Sequence, residues 1–226
     1  MPASAAAARD GGGPPPSILV LDAALQPAAF ERCRQAIDRL APRLVDKQAL
    51  DGKIAYRRYQ DYEAPEPTLT EELGACLFSE PVLSVANRYH DLAWRWLAAG
   101  VSREMDLQVT SYSHGSQYLW HTDHLVRGRT HNFILYMTDP GHFAGGELQI
   151  SCDEPRYSAQ DAERVRCDFS IRPARNRLVL MPSHLLHRVT PVTCASATPE
   201  LWQTRLTING HLRVPGMETL GRTRAA

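Results

Sequence analysis

Residues 106–123 read DLQVTSYSHGSQYLWHTD, two short strand-like runs separated by a glycine-containing turn. Alternate residues of a β-strand point to the same face, so His121 and Asp123 at the end of the second run present an imidazole and a carboxylate side by side. An imidazole and a carboxylate are both common metal ligands. The stretch therefore predicts a β-rich fold in which one strand supplies part of a metal site.

The strand-like pattern continues to the end of the chain's second half. Eight short runs rich in β-branched and aromatic residues are separated by Gly, Pro, Asp and Asn. They are DLQVTSY, SQYLWHTD, HNFILYMTD, GELQI, DFSIRP, NRLVLMP, HRVTPV and LWQTRLTING. Eight strands of this kind are typical of a sandwich or barrel, and jelly rolls have eight. The segment 152–167 is too polar for a core strand, so we expect an exposed excursion there.

The first hundred residues have a more helical pattern. We expect helices to dominate residues 18–100 after one short strand at 18–22. The expected helices cover 26–40 with Pro27 in the first turn, about 69–78, and 81–100 before Gly100, and a polar loop is expected over 53–67.

Composition limits the classes of partner. With 226 residues we expect a disordered tail at 1–17 and a single domain over 18–226, with helical support at 18–100 and a β core at about 105–212. The 25 basic residues balance 25 acidic ones, and no apolar run reaches membrane-spanning length, so we expect neither nucleic acid nor membrane as a partner. Five cysteines without a CxxC pair favour free thiols in the cytoplasm, although Cys152 and Cys167 could face each other across a hairpin.

Two ligands leave a metal site incomplete, and the best third ligand is His187 in NRLVLMPSHLLHRVTPV. Two neutral imidazoles and one carboxylate form the facial triad that holds Fe(II) with open positions, while spacing alone leaves zinc and manganese open. His184 is the alternative third ligand, but it follows Pro182 in a turn. His124 falls on the opposite strand face from Asp123.

Four motifs in order resemble the prolyl 4-hydroxylase-like branch of the 2-oxoglutarate and Fe(II) dependent oxygenases. They are YSHGSQYLWHTD (112–123), LYMTDPGHFAGGELQI (135–150), RLVLMPSHLLHRVTPV (177–192) and TRLTINGH (204–211), so the resemblance covers about residues 105–212. It implies a mainly β fold with flanking helices (α+β), in which a double-stranded β-helix, a cupin-like jelly-roll barrel, is buttressed by N-terminal helices.

The resemblance also implies roles for single residues. His121, Asp123 and His187 would bind Fe(II), with 2-oxoglutarate and O2 as cosubstrates and ascorbate as a supporting reductant. Arg205 would bind the distal carboxylate of 2-oxoglutarate, since a guanidinium meets a carboxylate through two hydrogen bonds. Tyr136 would donate a hydrogen bond to the same carboxylate. Tyr118 and Tyr112 would line the cosubstrate pocket.

The chain departs from the family pattern in two places. Arg205 follows His187 by 18 positions, more than is usual in the family, because TCASATPELWQ intervenes. Arg188 is therefore a rival for the carboxylate contact, although a strand neighbour of His187 points to the opposite face. His211 stands where the family often has tryptophan. Gly145 and Gly146 are interpreted as turn residues that serve backbone geometry.

Substrate specificity is expected from loops at the mouth of the barrel. The candidate substrate residues are Arg58 and Tyr59 in the loop 53–67, and Arg127 and Arg129 in the segment 124–131, because arginines suit the carboxylate of an amino acid or acidic metabolite. The predicted function is hydroxylation of an unactivated C–H bond of such a small molecule, by a monomer or homodimer.

Three alternatives remain open at the level of sequence. The first is a hydroxylase of a protein or peptide side chain, and the second is a metal-binding jelly roll without catalysis. The third is a zinc hydrolase, for which Glu147 is the nearest general base in sequence.

Overall fold

The structure is a computed structural model, and it describes residues 18–48, 55–60, 66–80, 82, 104–123, 129–152 and 165–213. The expected tail at 1–17, the helix at 81–100 apart from Val82, and the centre of the excursion at 153–164 lie outside the described residues.

The described residues form two α-helices and thirteen strands, numbered here in chain order. The helices are α1 (Pro27–Leu40) and α2 (Pro67–Leu77). The strands are β1 (Leu19–Leu21), β2 (Val45–Gln48), β3 (Ala55–Gln60), β4 (Glu104–Tyr112), β5 (Tyr118–His121), β6 (Arg129–Tyr136), β7 (Phe143–Gly145), β8 (Leu148–Ser151), β9 (Phe169–Ile171), β10 (Leu178–Pro182), β11 (Leu186–Val189), β12 (Val192–Cys194) and β13 (Arg205–Arg213).

The strands assemble into a large and a small antiparallel sheet and a further two-stranded sheet. The large sheet has seven strands in the order β1-β10-β6-β13-β4-β3-β2 and the small sheet has four in the order β5-β11-β8-β9. The remaining pair is β12-β7. This is the expected jelly roll, a double-stranded β-helix, although strand pairing among the described residues does not close the sheets into a continuous barrel.

The expected loop over 53–67 is wrong for its first half. Residues Ala55–Gln60 form β3, which pairs with β4 from Arg57 opposite Ser111 to Gln60 opposite Gln108. Polar residues favour a loop in the sequence, but a strand near the edge of an antiparallel sheet can carry polar side chains. Helices account for most of the regular structure in the described part of 18–100, where α1 and α2 have 14 and 11 residues, but β1, β2 and β3 in the same part belong to the large sheet.

The predicted first helix is confirmed and covers one face of the large sheet. Its buried residues Phe30, Cys33, Ile37 and Leu40 recur at helical spacing, and Pro27 occupies the first turn, where its missing N–H costs no hydrogen bond. These side chains join one apolar core with buried residues of α2 and of the sheet. Burying each large apolar side chain stabilises the fold by roughly 1.5–3 kcal/mol.

The two faces of the large sheet differ sharply in polarity. On β13, Leu206, Ile208 and Leu212 belong to the core beneath the helices. The alternate residues Asn209 and His211 line a cavity on the opposite face. Because alternate residues of β13 point to opposite faces, one face packs in the apolar core and the other carries polar side chains into the cavity.

The residues inserted between His187 and Arg205 are ordered. After β12 the chain makes a 3-10 turn at Leu201–Gln203 that is closed by a capping box between Glu200 and Gln203. Trp202 Nε1 donates a hydrogen bond to Asp38 Oδ1 on α1 at 2.8 Å. The insertion therefore attaches to the helical layer and leaves the start of β13 in place.

All five cysteines are free thiols in the structure, including the exposed Cys152 and Cys167. No helix among the described residues has both the length and the apolar character to cross a bilayer.

Gly145 and Gly146 both have positive φ, +73° and +68°, as expected of turn residues. Gly146 has a second function, because a Cβ there would lie 2.5 Å from Arg205 Cδ and 3.1 Å from Val192 Cγ2. Only a residue without a side chain therefore allows Arg205 to pack against the backbone at this position.

Gly146→Ala should lower the free energy of unfolding by about 1–3 kcal/mol, because it combines left-handed backbone with a side-chain clash. Urea denaturation would measure the change. The matched control is Gly141→Ala, since Gly141 has no atom within 4 Å of an added Cβ. Equal stability of the two variants would contradict the close approach of Gly146 to Arg205.

Candidate metal centre and cosubstrate pocket

Strand register brings the two candidate histidine ligands together. In the pairing of β5 with β11, His121 lies directly opposite His187. Directly opposed residues of antiparallel strands have Cβ atoms about 4.5–5.5 Å apart on one face. The two imidazole rings accordingly have centroids 4.1 Å apart. A register shift follows between His187 and Val189, and such irregularities are frequent beside active sites.

Each ring is oriented by the same local hydrogen bond. His121 Nδ1 lies 2.8 Å from the carbonyl oxygen of Leu119, and His187 Nδ1 lies 2.9 Å from that of Leu185. A carbonyl oxygen can only accept, so Nδ1 carries the hydrogen in both rings. The Nε2 lone pairs are then left to face the centre, which is the arrangement of a metal-binding histidine.

Asp123 is placed by the turn that precedes β11. Its backbone N–H donates to the carbonyl of Ser183 at 3.0 Å. Its Oδ2 lies 3.4 Å from His187 Nε2 and 4.0 Å from His121 Nε2. One ligand atom from each of these three residues lies within 4.8 Å of the others, and they form the one such cluster of potential metal ligands found in the described residues.

The charge states of this cluster suit a metal. Burial, with the neighbouring His187, lowers the pKa of His121 to about 3, so the imidazole is neutral at neutral pH. Burial raises the pKa of Asp123, but the neighbouring His187, His211 and His121 outweigh it and hold the pKa well below its usual value. The His121 imidazole and the Asp123 carboxylate are therefore already in the deprotonated forms that bind a metal.

Further polar groups surround the Asp123 carboxylate. Asn132 Nδ2 donates to Asp123 Oδ2 at 2.8 Å, and His211 Nε2 lies 3.5 Å from the same oxygen. Arg129 Nη1 lies 3.9 Å from Asp123 Oδ1, while Arg129 Nη2 lies 3.5 Å from Asp106 Oδ2. Asp123 is thus held by partners on both oxygens.

The three candidate ligands lie at the wall of a cavity of about 160 Å³ between the two larger sheets. The cavity has a mixed lining in which polar side chains are joined by Phe133, Ile134, Leu148 and Val189. Its lining includes Arg58, Gln108, Thr110, Tyr112, Tyr118, His121, Asp123, Arg129, Asn132, His187, Arg205, Thr207, Asn209 and His211.

Arg205 enters this cavity as a buried cation with only 1% of its surface exposed. Its Nε donates to the carbonyl of Gly146 at 2.6 Å, and its Nη2 donates to the Tyr136 hydroxyl oxygen at 3.4 Å. Its Cζ lies 5.0 Å from the ring centres of both Tyr136 and Tyr112. The guanidinium is therefore fixed in direction before any ligand binds.

Tyr112 and Tyr118 line the cavity, and Tyr136 contacts Arg205 from behind the lining. Tyr112 and Tyr136 flank Arg205, while the Tyr118 ring lies 4.2 Å from the His121 ring, centre to centre. Burial raises the pKa of Tyr136 despite the neighbouring Arg205, so its phenol keeps its hydrogen. That hydrogen is a donor for an anion beside Arg205.

The rival residues lie elsewhere. Arg188 Nε donates to Gln149 Oε1 at 2.7 Å and its Cζ lies 4.9 Å from the Trp120 ring, and it does not line the cavity. His184 is exposed in the turn before β11 and lies outside the ligand cluster. Glu147 Oε2 accepts from Ser170 Oγ, and this carboxylate does not line the cavity.

The four candidate substrate residues have different surroundings. Arg58 lines the cavity and donates through Nη1 to Gln108 Oε1 at 3.2 Å. Tyr59 is 4% exposed within the apolar core, so its expected place at the mouth is wrong, because the strand period turns it to the helical side. Arg129 begins β6, pairs with Asp106 and Asp123, and does not belong to a mouth loop. Arg127 and His124 lie outside the described residues.

Sequence reasoning missed Thr110, Asn132 and Asp106. Thr110 is 3% exposed and lines the cavity, and its Oγ1 has no hydrogen-bond partner among the described residues. The two-residue period of β4, which places Asp106 and Thr110 on one face, was a usable signal for these two. Nothing in the sequence indicated Asn132, because its position depends on which strand lies beside β6.

Comparison with known proteins agrees with this geometry. The model of the 2OG-Fe(II) oxygenase superfamily matches residues 107–213, which include all three candidate ligands and Arg205. A PKHD-type hydroxylase of Shewanella sp. (strain ANA-3) is 32% identical over 94 residues, which are 38% of this chain and 37% of that protein. The chain thus spans less than two fifths of that relative's length.

Solved structures support the fold. A prolyl hydroxylase from Trichoplax adhaerens, in complex with a hypoxia inducible factor oxygen degradation domain peptide fragment, has TM-score 0.55 and 16% identity, with coverage of 88% of this chain and 84% of that one. The epimerase SnoN in complex with Fe3+, alpha ketoglutarate and nogalamycin RO has TM-score 0.57 and 11% identity, covering 88% and 79%. At these identities the likeness establishes the double-stranded β-helix. Residues 107–213 are therefore similar in sequence to the 2OG-Fe(II) oxygenase superfamily, and the chain shares its fold with these solved structures.

Proposed function

We propose that this protein is a 2-oxoglutarate- and Fe(II)-dependent dioxygenase that hydroxylates an unactivated C–H bond of a small molecule, an amino acid or acidic metabolite, and releases succinate and CO2. The observation that carries the proposal is the shared cavity, which has the His121, Asp123 and His187 cluster on its wall and the buried Arg205 guanidinium in the same space.

The donor set fits Fe(II). Two imidazoles with their Nε2 atoms turned inward and one carboxylate supply nitrogen and oxygen ligands without a thiolate, which suits iron with open coordination positions. When Fe(II) and 2-oxoglutarate are bound, the metal couples oxidative decarboxylation of the cosubstrate to oxidation of a C–H bond. We propose ascorbate as a supporting reductant for this chemistry.

The pocket beside Arg205 fits the distal carboxylate of 2-oxoglutarate. Arg205 presents a planar guanidinium, which binds a carboxylate through two parallel hydrogen bonds. Tyr136 contributes its phenolic hydrogen, and the unpartnered hydroxyl of Thr110 adds a donor on the same side. Because these donors are buried and oriented in advance, binding a carboxylate there costs little reorganisation.

The protein's contribution to the reaction is orientation. Tyr118 packs against the His121 ring, and the Leu119 and Leu185 carbonyls hold both imidazoles in one tautomer. The ligands therefore keep their geometry while the cosubstrate is replaced at each turnover. The small cavity volume also limits water around the reacting groups.

Further polar side chains of the cavity support a polar substrate. Arg58, Gln108 and Asn209 line the cavity on the side of the large sheet. A cation with amide neighbours suits a substrate carboxylate, whereas an apolar substrate would leave the remaining donors of these groups without hydrogen bonds, at a cost of about 1–3 kcal/mol each. We propose Arg58 as the partner of that carboxylate, with no nucleic acid or membrane as a partner and with a monomer or homodimer as the working form in the cytoplasm.

A second candidate function is hydroxylation of a prolyl or other side chain in a protein or peptide. The observation in its favour is the structural likeness to a prolyl hydroxylase that was solved with a bound peptide fragment. A substrate panel distinguishes the two functions, as described below.

Asp123→Ala should reduce succinate release by more than about 100-fold, since losing even an outer partner of a metal ligand typically costs 10–100-fold. Succinate would be measured with Fe(II), 2-oxoglutarate and O2, and circular dichroism would check folding. His184→Ala is the control and should retain activity, because His184 is exposed outside the cluster. Loss of activity in the control alone would contradict the ligand assignment.

Arg205→Gln should raise the KM for 2-oxoglutarate roughly 100-fold, because losing a charged hydrogen-bond partner costs about 3 kcal/mol. Steady-state kinetics at varied cosubstrate would measure it. Arg188→Gln is the matched control, with an expected KM close to that of the wild type. The reverse result would move the carboxylate contact to Arg188.

A succinate-release screen should identify an amino acid or acidic metabolite rather than a prolyl peptide as the productive substrate. With that substrate, Arg58→Gln should raise the substrate KM and leave the KM for 2-oxoglutarate unchanged, because Arg58 contacts Gln108, whereas Arg205 is bound to Gly146 and Tyr136. Turnover of peptides alone would favour the second candidate function.

A further inference from the structure

His211 on β13 is a buried histidine outside the ligand cluster. Its Nδ1 lies 2.6 Å from Asp106 Oδ1, and its backbone N–H donates to the same oxygen at 3.1 Å. The two residues are directly opposed in the β13–β4 pairing. Asp106 therefore fixes both the position and the plane of the His211 ring.

The other ring nitrogen points at a metal ligand. His211 Nε2 lies 3.5 Å from Asp123 Oδ2, which is also the oxygen closest to the two ligand imidazoles. Asn132 Nδ2 donates to this oxygen from a second direction at 2.8 Å. Both ring nitrogens of His211 thus face carboxylate oxygens, one on Asp106 and one on Asp123.

The consequence concerns the carboxylate ligand. A carboxylate on a short side chain rotates easily, and a rotated carboxylate can bind a metal through two oxygens and occupy a position that the cosubstrate needs. Asn132 donates to Oδ2, His211 Nε2 lies 3.5 Å from the same oxygen, and Arg129 lies beside Oδ1, so these three groups favour one orientation of the carboxylate. Asp123 then offers the same oxygen to the metal position in every cycle.

We propose that His211 is a positioning residue which, anchored by Asp106, orients the carboxylate of Asp123 so that one oxygen faces the metal position. The inference rests on the proposed function, because it requires that Asp123 binds a metal. Hydrogen bonds to ligating carboxylates are typically worth about 10–100-fold in metal affinity.

The test is Co(II) binding to the purified, metal-free full chain, followed through the visible ligand-field absorption of Co(II). His211→Phe keeps an aromatic ring without donors. It should weaken Co(II) binding about 10–100-fold and change the shape of the absorption band, because the Asp123 carboxylate is then no longer held in one orientation.

His211→Gln places an amide donor near the Nε2 position and should restore most of the affinity and the wild-type band. His142→Phe, at an exposed position, is the matched control and should bind like the wild type.

The possible results distinguish a failure of the proposed function from a failure of the positioning role of His211. If the wild type binds no Co(II), the metal site and the proposed function fail together with this inference. If the wild type binds and His211→Phe binds equally tightly with an unchanged band, the positioning role alone is wrong.

Should circular dichroism show that His211→Phe does not fold, Asp106→Asn is tested in its place, since it keeps the shape of the Asp106 side chain and removes its charge. Its Co(II) affinity should fall, and an unchanged affinity and band would overturn the inference.

Discussion

The pairing of β5 with β11 is the interaction on which the candidate site depends. It sets His121 opposite His187, so that two residues 66 positions apart in the chain become neighbours on one face. A slip of one residue in this register would turn one of the imidazoles to the other side of the sheet. The turn before β11 then adds the third group, because the Ser183 carbonyl accepts the N–H of Asp123. One register and one turn thus define the metal centre.

The large sheet separates stability from chemistry. Its outer face contributes Leu107, Val109 and Ile208 to the core under the helices, and its inner face carries Gln108, Thr110 and Asn209 into the cavity. Apolar burial on one side stabilises the sheet, so the other side can hold buried polar groups that would destabilise an ordinary core. Some of the polar groups in this cavity bind one another, as Arg58 with Gln108 and the contacts around Asp123 show, whereas Thr110 Oγ1 has no partner among the described residues.

Arg205 illustrates how backbone makes room for a functional side chain. Its guanidinium is buried, and its Nε is bound to the carbonyl of Gly146, a glycine with positive φ. No other residue type fits there without touching the arginine. The GG pair in the sequence therefore serves two purposes, a turn into β8 and the close approach of β13. The long insertion before β13 does not disturb this contact, because Trp202 attaches it to α1.

The sequence by itself determined the strand-rich second half, the amphipathic first helix, and the candidate ligand and cosubstrate residues that local motifs mark. These signals are local, since strand and helix periods and short motifs are read within a few positions. The tertiary structure alone decided that 55–60 is a strand, that Tyr59 is in the core, that Arg129 pairs with Asp106, and that His211 and Asn132 meet Asp123. Each of these depends on which strands are neighbours and in what register, and a single sequence carries no local signal for contacts between distant segments.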